Sequence, residues 1–345
     1  MMKPVLKKIF FTFIYIVSAL AVSLVLLEIS ANILHLGPEL PEKSKVFIQK
    51  DHLSYHYKPQ TIARMRTPEF DVTYRYNKDG LRDHDRPLEK PENTFRILGL
   101  GDSFTEGVGA QYDEMYLTLL EGGLNQSVGG KTFDVIKAGV AGYDPKSERK
   151  YLEHYGYEYD PDLVLVAYSG TDAQEAARGV HYTVSKEGFL LSDAGYSLGP
   201  WMVELYLKSR VARTLLTKYL HVTRSKYNPS NMTEEQYTAF RAKGWSLLFE
   251  EYSKMKEICD RIGAQMVVIY IPFRINGGDL EIDRQKKLGE WCRANQVSFV
   301  DLLPAFQNHP DPGSLHYQVD LHCTPLGNRL IAFVLFQFLT KNSLV

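Results

Sequence analysis

The chain has 345 residues, with 40 Lys plus Arg against 41 Asp plus Glu, a formal net charge of −1. That balance, without a basic tract, excludes the electrostatic footprint of a nucleic-acid binder. Cys259, Cys292 and Cys323 have neither CxxC nor metal-ligand spacing, which argues against a disulfide framework or a zinc site, although one disulfide stays open. With 22 Tyr and 17 Phe the chain has ample core for one large domain or two modest ones.

Lys3, Lys7 and Lys8 precede Ile9 to Leu27, a stretch without charge. As a helix it rises about 28 Å, close to the thickness of a bilayer core. It reads as a membrane anchor over 9–33, with residues 1–8 on the cytoplasmic side by the position of the lysines. A cleaved signal peptide is the competing reading. Against it, the apolar region is long and Ile29-Ser30-Ala31 is a poor cleavage site. Residues 34–92 form a linker, with Gly37, Pro38 and Pro41, and a small β annex. In that annex Phe70 to Tyr76 alternates as a strand and Asn77-Lys78-Asp79-Gly80 is a turn.

From residue 93 to 340, strand-like and helix-like stretches alternate. Strands are expected at Phe95–Leu100, Thr132–Ile136, Asp162–Tyr168, Gln265–Ile271 and Val297–Leu302. Helices are expected near 112–124, 147–159, 233–262, 280–294 and 327–339. The pattern predicts an α/β protein: a three-layer α/β/α domain around a five-stranded parallel sheet of flavodoxin-like winding, preceded by one transmembrane helix. Residues 174–231 interrupt the rhythm as an insertion, either a lid or substrate platform at the ligand edge or a surface decoration.

Four short stretches fall at the carboxyl ends of expected strands, where open α/β sheets bind ligands. They are Gly101-Asp102-Ser103, the glycine-rich Ala138 to Tyr143, Ser169-Gly170-Thr171-Asp172, and Asp320-Leu321-His322. Ser103 reads either as a nucleophile at a tight turn or as an ordinary helix N-cap. Acyl transfer needs a serine, an imidazole to take its proton, a carboxylate to orient the imidazole, and donors for the oxyanion. In an extended segment residues 320 and 322 point the same way, so Asp320 either supports His322 or caps the last helix. His316 is the nearest rival histidine. Asp102 and Asp172 read as loop braces, and Gly327 and Asn328 as helix-start residues.

These blocks, with Asn77-Lys78-Asp79-Gly80-Leu81-Arg82-Asp83 running through to Gly107, resemble the SGNH (GDSL-type) hydrolase superfamily, and within it the membrane-anchored bacterial branch. The resemblance covers about residues 75–340. It implies Ser103 as nucleophile, His322 as base and Asp320 as its support. It also implies an oxyanion hole from the N–H groups of Ser103 and Gly142 and the side chain at position 171. There the family has asparagine and this chain has Thr171, a shorter donor that rotates. No metal and no cofactor is implied. The implied function is a serine esterase that cleaves an O-acyl, above all O-acetyl, ester on a cell-envelope glycan or related small molecule. A polysaccharide O-acetyltransferase and a non-catalytic glycan-binding protein are the alternatives. The implied place is the bacterial cytoplasmic membrane, single-pass, with the catalytic domain on the periplasmic side; the sequence does not indicate an oligomeric state.

Overall fold

The structure is a computed structural model and describes residues 4–34, 36, 42–179, 181–192, 200–223, 232–273 and 279–345. Parts of the expected linker and of the expected insertion lie outside the described residues. The chain divides into two compact units, Met1–Leu40 with Asp193–Met232, and Pro41–Ser192 with Thr233–Val345.

Helix α1 (Pro4–Ile33) contains one stretch, Leu6–Ile33, long and apolar enough to cross a membrane. Two antiparallel hairpins follow, β1 (Phe47–Lys50) with β2 (Leu53–Tyr57), and β3 (Ile62–Arg66) with β4 (Asp71–Arg75). In β4 burial alternates residue by residue, with Val72 and Tyr74 inward, as its period of two requires. Next come β5 (Thr94–Gly101), α2 (Ser103–Glu106), α3 (Tyr116–Ser127), β6 (Thr132–Gly139), α4 (Pro145–His154), β7 (Leu163–Tyr168) and α5 (Asp172–Arg178). A short hairpin, β8 (Tyr182–Val184) and β9 (Leu190–Ser192), precedes α6 (Pro200–Lys208) and α7 (Arg210–Thr223). The chain closes with α8 (Glu234–Ile262), β10 (Gln265–Tyr270), α9 (Asp279–Ala294), β11 (Ser298–Asp301), α10 (Leu303–Gln307) and α11 (Pro325–Lys341).

Five strands pair in parallel in the order β11-β10-β7-β5-β6. Counted along the chain, that is the 2-1-3-4-5 order of flavodoxin-like sheets, as expected. All six residues of β7 are buried because helices cover both faces. Alternate residues feed two cores. Leu98, Leu100, Val164, Val166 and Val268 pack with residues of α4, α8 and α9. Ile97, Leu163, Leu165, Val267 and Ile269 pack with residues of α3, α10 and α11.

The helix expected over 112–124 is split. Tyr112–Glu114 forms a 3-10 turn, with the Glu114 carboxylate accepting the Gln111 N–H at 2.9 Å. Met115 is extended, and α3 starts after it. The extended Met115 separates the two pieces. At the other side of the site, β6 ends on Gly139. A Cβ there would lie 2.2 Å from the Glu106 backbone nitrogen, so only glycine lets α2 sit against the end of this strand.

Candidate active site

Ser103 is the first residue of α2, directly after β5, at the carboxyl edge of the sheet. The N-cap is Asp102, whose carboxylate accepts the Phe104 N–H at 2.9 Å. The capping reading of Ser103 therefore falls away: its hydroxyl points elsewhere. Ser103 Oγ lies 2.7 Å from His322 Nε2, and His322 Nδ1 lies 2.5 Å from Asp320 Oδ1. With the imidazole hydrogen on Nδ1 donated to the carboxylate, Nε2 is left to accept the serine proton. Burial raises the Asp320 carboxyl, but the hydrogen bond and charge of His322 outweigh it, so the group is held below the usual carboxylate range. Phe104 packs on the imidazole with ring centroids 4.8 Å apart. His316, the rival histidine, is buried with Nε2 2.9 Å from the Pro272 carbonyl, and burial pulls it down to about 4.

Residues 320–322 are not simply extended. Leu321 has φ 72°, the left-handed region that costs a non-glycine residue about 1–2 kcal/mol. Glu69, in the β3–β4 turn, holds the loop in place. Its carboxylate accepts the N–H groups of Gln318 (2.7 Å), Val319 (3.0 Å) and Asp320 (2.8 Å). On the other side the Tyr317 N–H donates to the His322 carbonyl at 2.9 Å, and Thr324 caps α11. Nothing near Glu69 in the sequence marks it.

The annex also grips helix α2, through the run from Asn77 to Asp83. Asn77 Oδ1 accepts the Asp79 and Leu81 N–H groups and so builds the turn. That turn delivers Arg82, fully buried, whose guanidinium donates to the carbonyls of Glu106, Gly107 and Ala110 at 2.7–3.0 Å. These carbonyls lie at the end of α2 and in the turn that follows it. The Glu106 carboxylate in turn accepts from Tyr57, Tyr76 and Lys43 of the annex.

Gly142 has φ 79°, and a Cβ there would lie 2.8 Å from Tyr55 Oη, so this turn requires glycine. The residue before it is pinned: the Ala141 N–H donates to Tyr57 Oη at 3.2 Å and its carbonyl accepts from Tyr55 Oη at 2.9 Å. In the third block Ser169 Oγ lies 2.8 Å from both Asp102 Oδ2 and Asp172 Oδ1. One hydroxyl hydrogen cannot serve two carboxylates. Burial raises both carboxyls, Asp172 well above its usual range. The two aspartates brace the loops, as read from the sequence. Thr171 is half-buried and donates its hydroxyl to Glu175 Oε1 at 3.0 Å. Burial, then the charge of Asp102, pushes Glu175 up to about 7. Gly327 and Asn328 lie in the first turn of α11, and Asn328 Oδ1 accepts the Tyr116 N–H at 3.1 Å. All three cysteines are free and buried, and among the described residues no three His, Cys, Asp or Glu side chains group to hold a metal.

No curated protein sequence matches the chain significantly. Among solved structures, TesA is 14% identical over 71% of this chain and 98% of its own, with TM-score 0.45. A lipase/acylhydrolase from Enterococcus faecalis is 16% identical over 72% and 96%, with TM-score 0.44. The esterase EstA from Pseudoalteromonas sp. is 13% identical over 74% and 100%, with TM-score 0.44. The profile of the GDSL-like Lipase/Acylhydrolase family matches residues 100–330, from the end of β5 into α11 and through every block of the site. A serine on the turn after the first core strand and a histidine just before the last helix lie together inside that match, and the chain belongs to this family of ester hydrolases.

Proposed function

We propose that Ser103, His322 and Asp320 are the catalytic residues of a membrane-anchored esterase acting on O-acyl, above all O-acetyl, groups of an envelope glycan. The observation that carries the chemistry is the continuous hydrogen-bonded chain from Ser103 Oγ through His322 to Asp320. Ser103 Oγ attacks the ester carbonyl while His322 Nε2 takes its proton. The carbonyl oxygen becomes an oxyanion facing the N–H groups of Ser103 and Gly142. His322 returns the proton to the departing sugar hydroxyl. Water then attacks the acyl-serine, again through His322, releasing the acid and restoring Ser103. A pocket lined by Tyr168, Gln174, Arg241, Trp245 and Arg284 adjoins the third block. Tyr168 and Trp245 stack on each other there, and Arg241 and Arg284 pair with Asp283 and Glu281, so the glycan reading rests on the family resemblance and not on this pocket. Helix α1 is the anchor in this reading, with the hydrolase domain outside the cytoplasm.

The test is acetate release by full-length protein from O-acetylated oligosaccharides, compared with p-nitrophenyl acetate and a long-chain ester. Release from the oligosaccharides together with poor turnover of the long-chain ester is expected. Turnover of p-nitrophenyl acetate without release from any glycan would overturn the glycan reading.

Thr171 stands where the family has an asparagine donor, and we assign it the third oxyanion contact in a form that depends on pH. Above pH 7 ionised Glu175 draws the Thr171 hydrogen to itself. Below pH 7 the protonated carboxyl donates to Thr171 Oγ1 instead, and the threonine hydrogen is released toward the site. The ratio of wild-type to Thr171→Val rates cancels every pH effect that the two proteins share. That ratio is expected near one at pH 8.5, rising to about tenfold by pH 6 as one oxyanion donor returns. Thr171→Asn is expected to gain about tenfold at both pH values, roughly 1.4 kcal/mol of barrier. A flat ratio with no gain from asparagine would remove position 171 from the oxyanion hole.

A further inference from the structure

The smaller unit contains a polar joint on an otherwise apolar element. Between Lys8 and Glu28, α1 has no charged residue. Glu28 ends that stretch, and its carboxylate is fully engaged. Oε2 accepts from Ser209 Oγ at 2.7 Å and from the Val211 N–H at 3.1 Å, while Oε1 accepts from the Arg210 N–H at 2.8 Å and from Asn32 Nδ2 at 2.8 Å. Residues 209–211 are where α7 begins. Glu28 thus satisfies the orphan N–H groups of that helix and sits at the positive end of its dipole. The start of α7 is thereby fixed at the depth where the uncharged stretch of α1 stops.

On the preceding helix α6, Trp201 and Leu205 lie one turn apart on one face and are 69% and 44% exposed; on α7, Leu215 is 63% exposed. Lys208 pairs with Glu204 at 2.6 Å beside the first two, and Lys218 is exposed on α7. An exposed indole and aliphatic side chains mixed with amines, at the level where a span ends, is the composition that settles in the headgroup layer of a bilayer. We propose that α6 and α7 form an interfacial platform lying in the lipid headgroup region, with the bilayer surface covering Trp201, Leu205 and Leu215. Glu28 is the joint that couples this platform to α1. The inference rests on α1 being a membrane span, and it makes α1 a permanent part of the fold: its removal would strip the N-terminus of α7 of its cap.

The experiment uses full-length protein in phosphatidylcholine–phosphatidylglycerol vesicles, with and without phosphatidylcholine brominated near the headgroup. The chain has three tryptophans, and the difference between wild type and Trp201→Phe isolates Trp201. Brominated lipid is expected to quench most of the Trp201 emission, with aqueous acrylamide quenching little. Glu28→Leu keeps α1 apolar and removes the acceptor, so it is expected to stay with vesicles after alkaline wash while Trp201 loses most of its lipid quenching. Alkali-resistant wild type whose Trp201 responds to acrylamide and not to brominated lipid overturns the platform and leaves the span intact. Trp201 shielded from both quenchers, in a protein that is dimeric by light scattering, gives the surface to a second copy and also overturns it. Release of the wild type by alkaline wash overturns the span, and the platform with it.

Discussion

Ser103→Ala is expected to abolish ester turnover, by at least about a thousandfold, and to leave the thermal midpoint where it is in the wild type. Both halves of that result follow from the local geometry. The Ser103 hydroxyl takes no part in capping α2, because Asp102 accepts the Phe104 N–H. It hydrogen-bonds His322 Nε2 at 2.7 Å, so alanine removes the atom proposed to attack and little packing. The rate with p-nitrophenyl acetate and the melting curve give the two numbers. A fluorophosphonate should add one phosphonyl group to the wild type, on the peptide containing Ser103, and none to the variant. Equal rates in the two proteins would mean that the ester bond is broken elsewhere.

The largest expected effect on stability is at Glu106. Its carboxylate is fully buried and accepts from Lys43 Nζ at 2.9 Å, Tyr57 Oη at 2.7 Å and Tyr76 Oη at 2.9 Å. Burial lowers the Lys43 ammonium from its usual range, and Glu106 is the main force that opposes this. Removing one partner of such a buried pair costs about 3–5 kcal/mol, because the remaining charge is stranded away from water. For a unit of this size Glu106→Leu should lower the melting temperature by on the order of 10 °C. The double variant Lys43→Met with Glu106→Leu should recover much of the loss, since no charge is then stranded. Recovery should be incomplete because the Tyr57 and Tyr76 hydroxyls lose their acceptor. A Glu106→Leu protein that melts with the wild type would mean that Lys43 reaches water and that the annex is not held through this contact.

Much of this arrangement is legible in the chain. The all-apolar run at Leu163–Tyr168 and the alternation of strands and helices specify a parallel sheet covered on both faces, because hydrophobic period and length act locally. The Gly-Asp-Ser turn after β5 and the histidine just before α11 could be placed at one sheet edge by the same reasoning. The split at Tyr112–Glu114 could not, since the helical spacing of apolar residues runs across it and only the extended Met115 breaks it.

By itself, then, the sequence determined the strands, their covering helices, the uncharged length of α1 and the residues offered at the sheet edge, all of which are set by neighbours a few positions apart. The tertiary structure decided which histidine faces Ser103. Only His322 is followed by a small-residue turn into a helix, and the fold bonds it to Ser103 while His316 is bonded to the Pro272 carbonyl. It also decided that Leu321 is left-handed and that Glu69, 251 residues before Asp320, holds that loop. Likewise Glu28 meets Arg210 across 182 residues. Such contacts join surface-looking turns and single charges whose partners exist only once the chain has folded, and no periodicity in the sequence marks them.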